Sequence, residues 1–359
     1  MKGIIPTGGR GTRMRPITFT ANKHFIPVGG KPLIYYPVEN TVGAGIREIA
    51  ITYNPGGLEL AKHYLGDGSK WSAKFTYILQ PEPIGLANII EVCEEYLNGS
   101  SFVFHLGDNI FTAGISKLVN YFETNKPDGL LALVHHKENF RLGVPYYDKS
   151  GRLVKYIEKP KNPPHDLGIP GLYFSNSHFF KCFKGKDKIK PSTRGEYEIP
   201  APYQWLLDRK YRVETMEIDG VWMDPGKFDD WLEANRYLLD SMVKTNILGK
   251  VDKESKIEGR VIIGKNTKII NSVIRGPVII DDNVEIKDGF VGPFTHISHG
   301  VKLEKTHIEN SVIMEGVEIR NMSKPIDGSI MGPGSKITNG GSPHRPIELF
   351  IGEMANIKL

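Results

Sequence analysis

Small apolar residues recur at a fixed interval in the C-terminal third of this 359-residue chain. Their spacing runs 6, 6 and 5 residues, and this cycle of 17 residues occurs three times in succession. The positions are Ile257, Ile263, Ile269, Ile274, Ile280, Ile286, Val291, Ile297, Leu303 and Ile308. Three short strands per turn, each with one inward aliphatic residue, are typical of a triangular parallel β-helix. A β-sandwich would not keep such a period through three copies.

The end of the repeat is less regular. We expect the coils to continue through Ile313 and Ile319, and we expect loops in NMSKPIDGSI (321–330) and TNGGSPHRPIE (338–348), where Gly and Pro are frequent. The last segment, ELFIGEMANIKL, is predicted to cap the open end. Three histidines of this region, His296, His299 and His307, are interpreted as scattered polar residues of the coils.

The first two thirds of the chain have a different pattern. Short apolar runs such as EIAITYN and SFVFHLGD alternate with amphipathic stretches, which predicts an α/β domain with a mainly parallel sheet. An amphipathic helix is predicted from Phe228 to Met242 and should close this domain. The predicted division is therefore residues 1–242 and residues 243–359, the second being the β-helix with its cap.

Composition narrows the function classes. The formal charge of +5 is too small for a nucleic-acid-binding surface without a basic stripe. No apolar run approaches the roughly 20 residues of a membrane-spanning helix, and the N-terminus does not resemble a signal peptide, so a cytoplasmic protein is expected. The two cysteines, Cys93 and Cys182, lack metal-ligand spacing and are interpreted as buried thiols.

A glycine-rich loop follows the first apolar run. Gly8, Gly9 and Gly11 allow backbone amides to approach phosphates closely, although the spacing matches neither the dinucleotide-binding nor the Walker pattern. Cations accompany the loop at Arg10, Arg13, Arg15, Lys23 and Lys31. These features favour polyphosphate binding; a structural turn beside a solvated basic face is the alternative.

Two aspartates follow apolar runs at predicted strand ends. Asp108 comes after FVFHLG and Asp224 after VWM. A carboxylate in such a place is costly unless a cation meets it, which makes both candidates for metal ligands. Either one taken alone could instead cap a helix.

These motifs together resemble the sugar-nucleotidyltransferase family. Its signature is matched by GRGTRMRPITFTANKHFIPVGGKPLIYYPVE, and further matches follow in the family's order: QPEPIGLAN (80–88), LGDNIF (106–111), LGV (142–144), EKP (158–160), GLYF (171–174), GEYEI (195–199) and WMDPGK (222–227). Within the family the chain is most similar to the long type of glucose-1-phosphate thymidylyltransferase, which joins a Rossmann-like catalytic domain to a left-handed parallel β-helix. The resemblance covers nearly all of the chain.

The resemblance implies roles for individual residues. Arg13 and Lys23 would act catalytically on the triphosphate and the leaving pyrophosphate, and Lys159 on the sugar phosphate. Asp108 and Asp224 would bind Mg²⁺. Substrate contacts would come from Gly8, Gly9, Gly11, Thr12, Gln80, Pro83, Gly85, Asn109, Gly143, Glu158, Gly171 and Tyr173, with Gln80 and Gly85 at the pyrimidine base and Glu158 at the hexose hydroxyls.

The implied reaction joins a nucleoside triphosphate to a sugar 1-phosphate, and the substrates that the resemblance favours are dTTP and glucose 1-phosphate. The resemblance also implies a homo-oligomer. Alternatives are a UTP-dependent uridylyltransferase, a bifunctional enzyme with acyltransferase activity in its β-helix, and a non-catalytic sugar-nucleotide-binding regulator. The chain departs from the usual family pattern at Pro6, Thr7, His24, Leu142, Pro200 and Pro225. Leu142 and Pro200 weaken a transfer of glucose specificity more than they affect the reaction class.

Overall fold

A computed structural model of the chain describes residues 1–9, 11–19 and 22–339. These residues form two compact units. The first comprises Met1–Gly9 and Ile34–Asp224, and the second comprises the described residues of the segments 10–33 and 225–359. The segment 348–359, predicted as a cap, lies outside the described residues, as does most of the loop predicted at 338–348.

Strands and helices alternate through the first 242 residues, as the apolar pattern predicts. The strands are β1 (Lys2–Pro6), β2 (Pro27–Val28), β3 (Lys31–Pro32), β4 (Glu48–Tyr53), β5 (Lys74–Leu79), β6 (Phe102–His105), β7 (Ile110–Phe111), β8 (Gly129–His135), β9 (Gly143–Tyr147), β10 (Leu153–Glu158), β11 (Leu167–Gly168), β12 (Leu172–Ser175), β13 (Val213–Glu217) and β14 (Trp222–Met223). The α-helices are α1 (Tyr35–Gly43), α2 (Leu58–Leu65), α3 (Leu86–Glu91), α4 (Glu94–Leu97), α5 (Ser116–Asn125), α6 (Pro200–Asp208) and α7 (Phe228–Met242). Short 3-10 turns lie at Thr12–Met14, Ile17–Phe19, Lys23–Phe25, Ser69–Trp71, Asn139–Arg141 and Ser177–Phe183.

The first unit is built on an eight-stranded sheet in the order β11-β8-β12-β6-β1-β4-β5, with β13 also paired to β8. Strands β1, β4, β5 and β6 run parallel, as β13 does to β8, whereas β12 is antiparallel to both of its neighbours. The central parallel strands β1, β4 and β6 are buried along most of their length and therefore read as apolar runs. This is the Rossmann-like sheet predicted from the sequence. Its parallel strands carry the loops after β1 and β5, which contain predicted site residues.

The second unit contains the predicted β-helix. Its strands are β15 (Asn246–Ile247), β16 (Lys250–Val251), β17 (Lys256–Glu258), β18 (Val261–Ile263), β19 (Lys268–Ile270), β20 (Val273–Arg275), β21 (Val278–Ile280), β22 (Glu285–Lys287), β23 (Phe290–Val291), β24 (Thr295–Ile297), β25 (Lys302–Glu304), β26 (His307–Glu309), β27 (Val312–Ile313), β28 (Glu318–Arg320), β29 (Ile326–Asp327), β30 (Ile330–Met331) and β31 (Lys336–Thr338). They form three parallel sheets, each joining every third strand. Ile257 pairs with Ile274 and Ile274 with Val291, so the 17-residue period is the register of the coils.

The coils extend further than the sequence pattern indicated. The loop predicted over 321–330 is wrong in part, because Ile326 pairs with Ile308 and Ile330 pairs with Val312 in the stacked sheets. The step from Ile308 to Ile326 is one residue longer than the period of 17, which hid the last coil from a fixed-interval search. Ile326 is 9% exposed, so the inward column continues.

The division into domains at residue 242 remains a prediction. Cys93 and Cys182 are buried free thiols, as expected. Among the described residues, no helix combines the length and apolar character needed to cross a membrane.

Candidate functional site

The loop after β1 begins at the carboxyl end of a central parallel strand. The backbone N–H of Thr7 donates to the carbonyl of Thr52 at 2.8 Å, which fixes the exit of the loop against β4. A methyl group added at Gly8 would lie 2.2 Å from Oδ1 of Asn54, and Gly9 has a φ of 137°. Neither position accepts a side chain without strain, so the loop presents bare backbone, as phosphate binding requires.

Gln80 lies at the end of β5, the second strand from β1, and is only 4% exposed. Its Oε1 accepts a hydrogen bond from Asn54 Nδ2 at 3.2 Å, and its Nε2 donates to Asn88 Oδ1 at 3.1 Å. Since Asn54 also touches Gly8, the structure brings Gly8 and Gln80 to one edge of the sheet. Asn54 and Asn88 orient the amide of Gln80. Neither was among the candidate residues, and only the position of Asn88 within QPEPIGLAN could have suggested it.

The loop that follows Gln80 is pressed against the GEYEI segment. Gly85 has a φ of 114°, and a methyl group there would lie 2.4 Å from the carbonyl oxygen of Tyr197. The backbone N–H of Tyr197 donates to Ile84 at 2.7 Å, and that of Ala87 donates to Tyr197 at 3.0 Å. Pro83 is exposed in this loop. Gly85 is therefore a packing requirement of the loop in addition to its predicted place at the base.

The two predicted metal ligands lie at the same end of a short antiparallel strand pair. Trp222 of β14 pairs with Phe111 of β7, and Met223 pairs with Ile110. Continuing this register sets Asp224 opposite Asn109, which is the residue next to Asp108. Asp108 and Asp224, which are separated by more than 100 positions, thus flank the same end of the β7–β14 pair.

An amide and an indole support this pair. Asn109 is 3% exposed; its Nδ2 donates to Asp108 Oδ1 at 3.0 Å, and its Oδ1 accepts from the indole N–H of Trp222 at 2.5 Å. No cluster of three or more His, Cys, Asp or Glu ligands occurs within residues 1–9, 11–19 and 22–339. Two carboxylates suit Mg²⁺, which keeps waters and substrate phosphates as its other ligands. The donor set therefore fits the implied ion.

A buried imidazole lies in the strand that leads to Asp108. Burial lowers the pKa of His105 to about 3, and the charge of Asp108 acts in the opposite direction. Within the described part of the chain neither ring nitrogen of His105 has a hydrogen-bond partner, and the ring packs edge to face on Phe111 at 5.1 Å between centroids. His105 is consequently neutral at physiological pH and acts as an apolar support for β7.

The predicted sugar residues lie on and beside the β9–β10 hairpin. Glu158 pairs with Gly143 in register, and Lys159 Nζ lies 3.1 Å from Glu158 Oε1. Lys159 has a φ of 49°, an unusual left-handed conformation for a lysine, and its N–H donates to the carbonyl of Leu142 at 2.9 Å. A strained backbone that aims a charged side chain is typical of functional sites.

Two buried tyrosines pack beside the β9–β10 hairpin residues. Tyr156 and Tyr173 lie 3.3 Å apart at their hydroxyls, and burial raises the pKa of each well above its ordinary value. A methyl group at Gly143 would lie 2.2 Å from the Tyr156 ring, and one at Gly171 would lie 2.5 Å from a Leu106 methyl. Gly143, Gly171, Glu158, Lys159 and Tyr173 therefore belong to one region of the first unit. Tyr156 was not among the sequence candidates.

The remaining predicted residues belong to the second unit. Thr12 and Arg13 are exposed and lie in the 3-10 turn Thr12–Met14, which follows Gly11 with its φ of 54°. The Arg13 guanidinium packs over the backbone of Gly226, since a methyl group there would lie 3.2 Å from Nη2. Lys23 is 7% exposed, and its β-carbon would lie 3.5 Å from a methyl added at Gly11. Gly11, Arg13 and Lys23 are thus held within one compact segment.

A glycine loop on a parallel sheet, an oriented amide and two carboxylates are features expected of a nucleotide-dependent transferase. The nucleotidyl transferase family model matches residues 2–241, and the chain belongs to this family of enzymes. It is 35% identical to a glucose-1-phosphate thymidylyltransferase of Streptomyces antibioticus, over 96% of this chain and 95% of the relative. It is 36% identical to a low-salt glycan biosynthesis nucleotidyltransferase of Haloferax volcanii, with both chains covered completely.

A solved structure gives the same result for the first part of the chain. It is described as a glucose-1-phosphate thymidylyltransferase from Bacillus anthracis, and it superposes with a TM-score of 0.62 at 33% identity. The match covers 66% of this chain and 95% of the other. The family resemblance seen in the sequence motifs is confirmed.

Proposed function

We propose that this enzyme transfers a thymidylyl group from dTTP to glucose 1-phosphate and releases pyrophosphate. The observation that carries the chemistry is the β7–β14 pairing, which gathers Asp108, Asn109 and Asp224 at one end of a ribbon. The full-length similarity to the Streptomyces antibioticus enzyme supports the choice of substrates. The product would be dTDP-glucose.

The reaction needs no covalent enzyme intermediate. A phosphate oxygen of the sugar phosphate attacks the α-phosphorus, a new P–O bond forms, and the bond from the α-phosphorus to the bridging oxygen breaks as pyrophosphate leaves. Because the attacking oxygen is already anionic, no general base is required, and rate acceleration comes from alignment and charge stabilisation. Arg13 and Lys23 would neutralise the triphosphate, and Lys159 the sugar phosphate.

Asp108 and Asp224 would hold Mg²⁺, with Asn109 beside them. When bound, the ion would supply Lewis-acid stabilisation of phosphate charge. Gln80 would read the pyrimidine, since its amide carries both a donor and an acceptor, and Glu158 would accept from hexose hydroxyls. Gly8, Gly9, Gly11, Thr12, Pro83, Gly85, Gly143, Gly171 and Tyr173 complete the proposed substrate contacts. Cytoplasmic location and homo-oligomeric assembly belong to the same proposal.

The test is a matrix of nucleoside triphosphates against sugar 1-phosphates, with released pyrophosphate as the readout. dTTP with glucose 1-phosphate should give the highest kcat/KM. A parallel reaction without sugar phosphate separates transfer from hydrolysis. Higher kcat/KM with UTP would support a uridylyltransferase, because Gln80 meets an edge that thymine and uracil share, and no release with any pair would overturn the proposal.

A further inference from the structure

Helix α7 carries two buried polar side chains on one face. Trp231 and Asn235 are four positions apart and are 0% and 1% exposed, so both point from the helix into its packing surface. Buried polar groups are costly unless they are paired, and both residues are paired. Their partners lie in two segments far away in the chain: the β2–β3 hairpin and the corner of the β-helix between β23 and β24.

The hairpin side of this contact is made through backbone atoms. The indole N–H of Trp231 donates to the carbonyl of Pro27 at 2.9 Å, and the N–H of Gly29 donates to Asn235 Oδ1 at 3.0 Å. The next residue, Gly30, packs on the β-helix, because a methyl group there would lie 2.5 Å from Ile279 Cδ1. The hairpin therefore rests on α7 and on a coil of the β-helix together.

Asn235 is the residue that joins the two. While its Oδ1 accepts from Gly29, its Nδ2 donates to the carbonyl of Phe294 at 3.0 Å. Phe294 has a φ of 61° at a corner where the next coil has Asn310 with a φ of 47°. The Arg236 guanidinium lies 5.2 Å from the Phe294 ring centroid. A bulky residue in this conformation is uncommon, and it turns its carbonyl toward α7.

The hairpin leads directly to the cationic residues. The N–H of Leu33 donates to the carbonyl of Ile26 at 3.1 Å, and the N–H of Ile26 donates to the carbonyl of Lys23 at 3.2 Å. A continuous path of hydrogen bonds and covalent links thus runs from the β-helix corner through Asn235 and the hairpin to Lys23. Arg13 packs on Gly226, which lies two residues before α7 begins.

We propose that Asn235 is a positioning residue for the reaction, through which the β-helix holds the segment that carries Lys23 and Arg13. The proposal rests on the proposed function, since it assigns these cations to the triphosphate. It gives the β-helix a part in turnover that the catalytic motifs alone do not indicate. Loss of the link should affect use of the triphosphate and leave use of the sugar phosphate unchanged.

The test compares Asn235→Leu, which has the same approximate size and neither hydrogen bond, with Asn235→Asp, which keeps the acceptor for Gly29 and loses the donor to Phe294. Asn235→Leu should lower kcat and raise the KM for the triphosphate, with a combined loss of about ten-fold or more in kcat/KM. The KM for sugar phosphate should stay within two-fold. Asn235→Asp should fall between wild type and Asn235→Leu.

Two matched controls separate positioning from general destabilisation. Leu239→Ala removes a buried side chain of the same helix and should lower Tm without a selective change in the KM for the triphosphate. Phe294→Asn introduces the residue type that Asn310 has at the equivalent corner of the next coil. It keeps the backbone carbonyl that accepts from Asn235, so kcat/KM should stay within about two-fold of wild type. Hydrogen exchange should rise in residues 22–33 of Asn235→Leu and stay unchanged in β4.

The outcomes distinguish this proposal from the proposed function. A wild-type enzyme that releases no pyrophosphate overturns both. An active wild type, with Asn235→Leu unchanged in kcat and in KM for the triphosphate, overturns the positioning role alone. An equal rise in the KM values for both substrates in Asn235→Leu would also overturn it. So would a Leu239→Ala variant with the Tm of Asn235→Leu and the same selective rise in the KM for the triphosphate.

Discussion

The indole N–H of Trp222 donates a 2.5 Å hydrogen bond to Oδ1 of Asn109. The same amide donates through Nδ2 to Asp108 Oδ1, so Trp222 determines which way the amide faces and, through it, where the Asp108 carboxylate lies. Groups that orient a metal ligand in this way contribute to metal affinity without touching the ion.

Trp222→Phe should therefore weaken metal use. The ring remains, but Asn109 loses a donor worth about 1 kcal/mol, so the Mg²⁺ concentration for half-maximal turnover should rise about five-fold. Trp205→Phe is the matched control, because its indole donates at 2.9 Å to the backbone carbonyl of Asp187 and to neither of these carboxylates nor Asn109. An equal shift in both variants would assign no orienting role to Trp222.

Asp108→Asn and Asp224→Asn should each raise the Mg²⁺ requirement, since each removes one anionic ligand while keeping the shape of the side chain. If both bind one ion, the double variant should raise the activation free energy by less than the sum of the increases in the two single variants. Asp219→Asn, which breaks a solvent-exposed pair with Lys117 at 2.8 Å, serves as control. Unchanged Mg²⁺ dependence in either single variant would exclude that residue as a ligand.

The sequence predicted the helices and strands better than it predicted the tertiary contacts between them. The repeat gave the β-helix because one inward residue per strand, such as Ile274, leaves a fixed period whatever surrounds it. The strand-end aspartates were found because a charge after an apolar run needs a partner. Asn54 and Asn235 could not be found in this way, because an asparagine whose partners lie far along the chain has no local pattern.

The association of residues 22–33 with the β-helix was also invisible in the sequence. Its contacts are a helix amide at Asn235, a backbone N–H at Gly29 and a carbonyl at Phe294, and none of these has a compositional signal. Short motifs report chemistry, whereas the residues that hold a motif in place are selected by tertiary contacts.

His105 should make the enzyme less stable in mild acid. Its pKa in the folded chain is about 3, so as pH falls through about 6.5 the unfolded chain binds a proton that the folded chain does not. Stability should fall by about 2 kcal/mol between pH 7 and pH 5 on this account. In His105→Leu the loss over that interval, measured by urea unfolding, should be smaller by about this amount.

His135 provides a control of opposite sign. Asp166 and Glu217 raise its pKa, so its contacts stabilise the folded chain in acid and weaken as pH rises through the folded pKa. His135→Gln should slightly increase the loss between pH 7 and pH 5. Equal pH profiles for wild type and His105→Leu would show that His105 does not control acid stability.

Arg13→Ala should lower kcat about 100-fold, because the guanidinium is proposed to act on charge that develops on pyrophosphate. The KM for sugar phosphate should change little. Arg15, two residues further on, has its guanidinium over the Phe19 ring at 4.7 Å and makes Arg15→Ala the control, with a much smaller loss of kcat expected. Single-turnover rates would measure the difference, and wild-type rates in Arg13→Ala would remove this residue from the mechanism.

Lys159→Gly should separate stability from activity. A lysine with a φ of 49° carries strain that glycine relieves, so the variant should gain about 1 kcal/mol in free energy of unfolding, less the entropy that glycine loses on folding. Turnover should nevertheless fall, because the ammonium proposed for the sugar phosphate is gone, and the KM for sugar phosphate should rise.

Lys126→Gly is the matched control for the gain in stability and the loss of turnover expected of Lys159→Gly. Lys126 has a φ of 50° at the C-terminus of α5, so the same substitution relieves the same backbone strain in a place with no proposed substrate contact. Both variants should shift Tm upward by similar amounts in thermal unfolding, and only Lys159→Gly should lose kcat/KM. If Lys159→Gly keeps full turnover, the left-handed conformation of Lys159 has no catalytic purpose. If Lys126→Gly loses turnover as well, the loss reflects the glycine and not the missing ammonium.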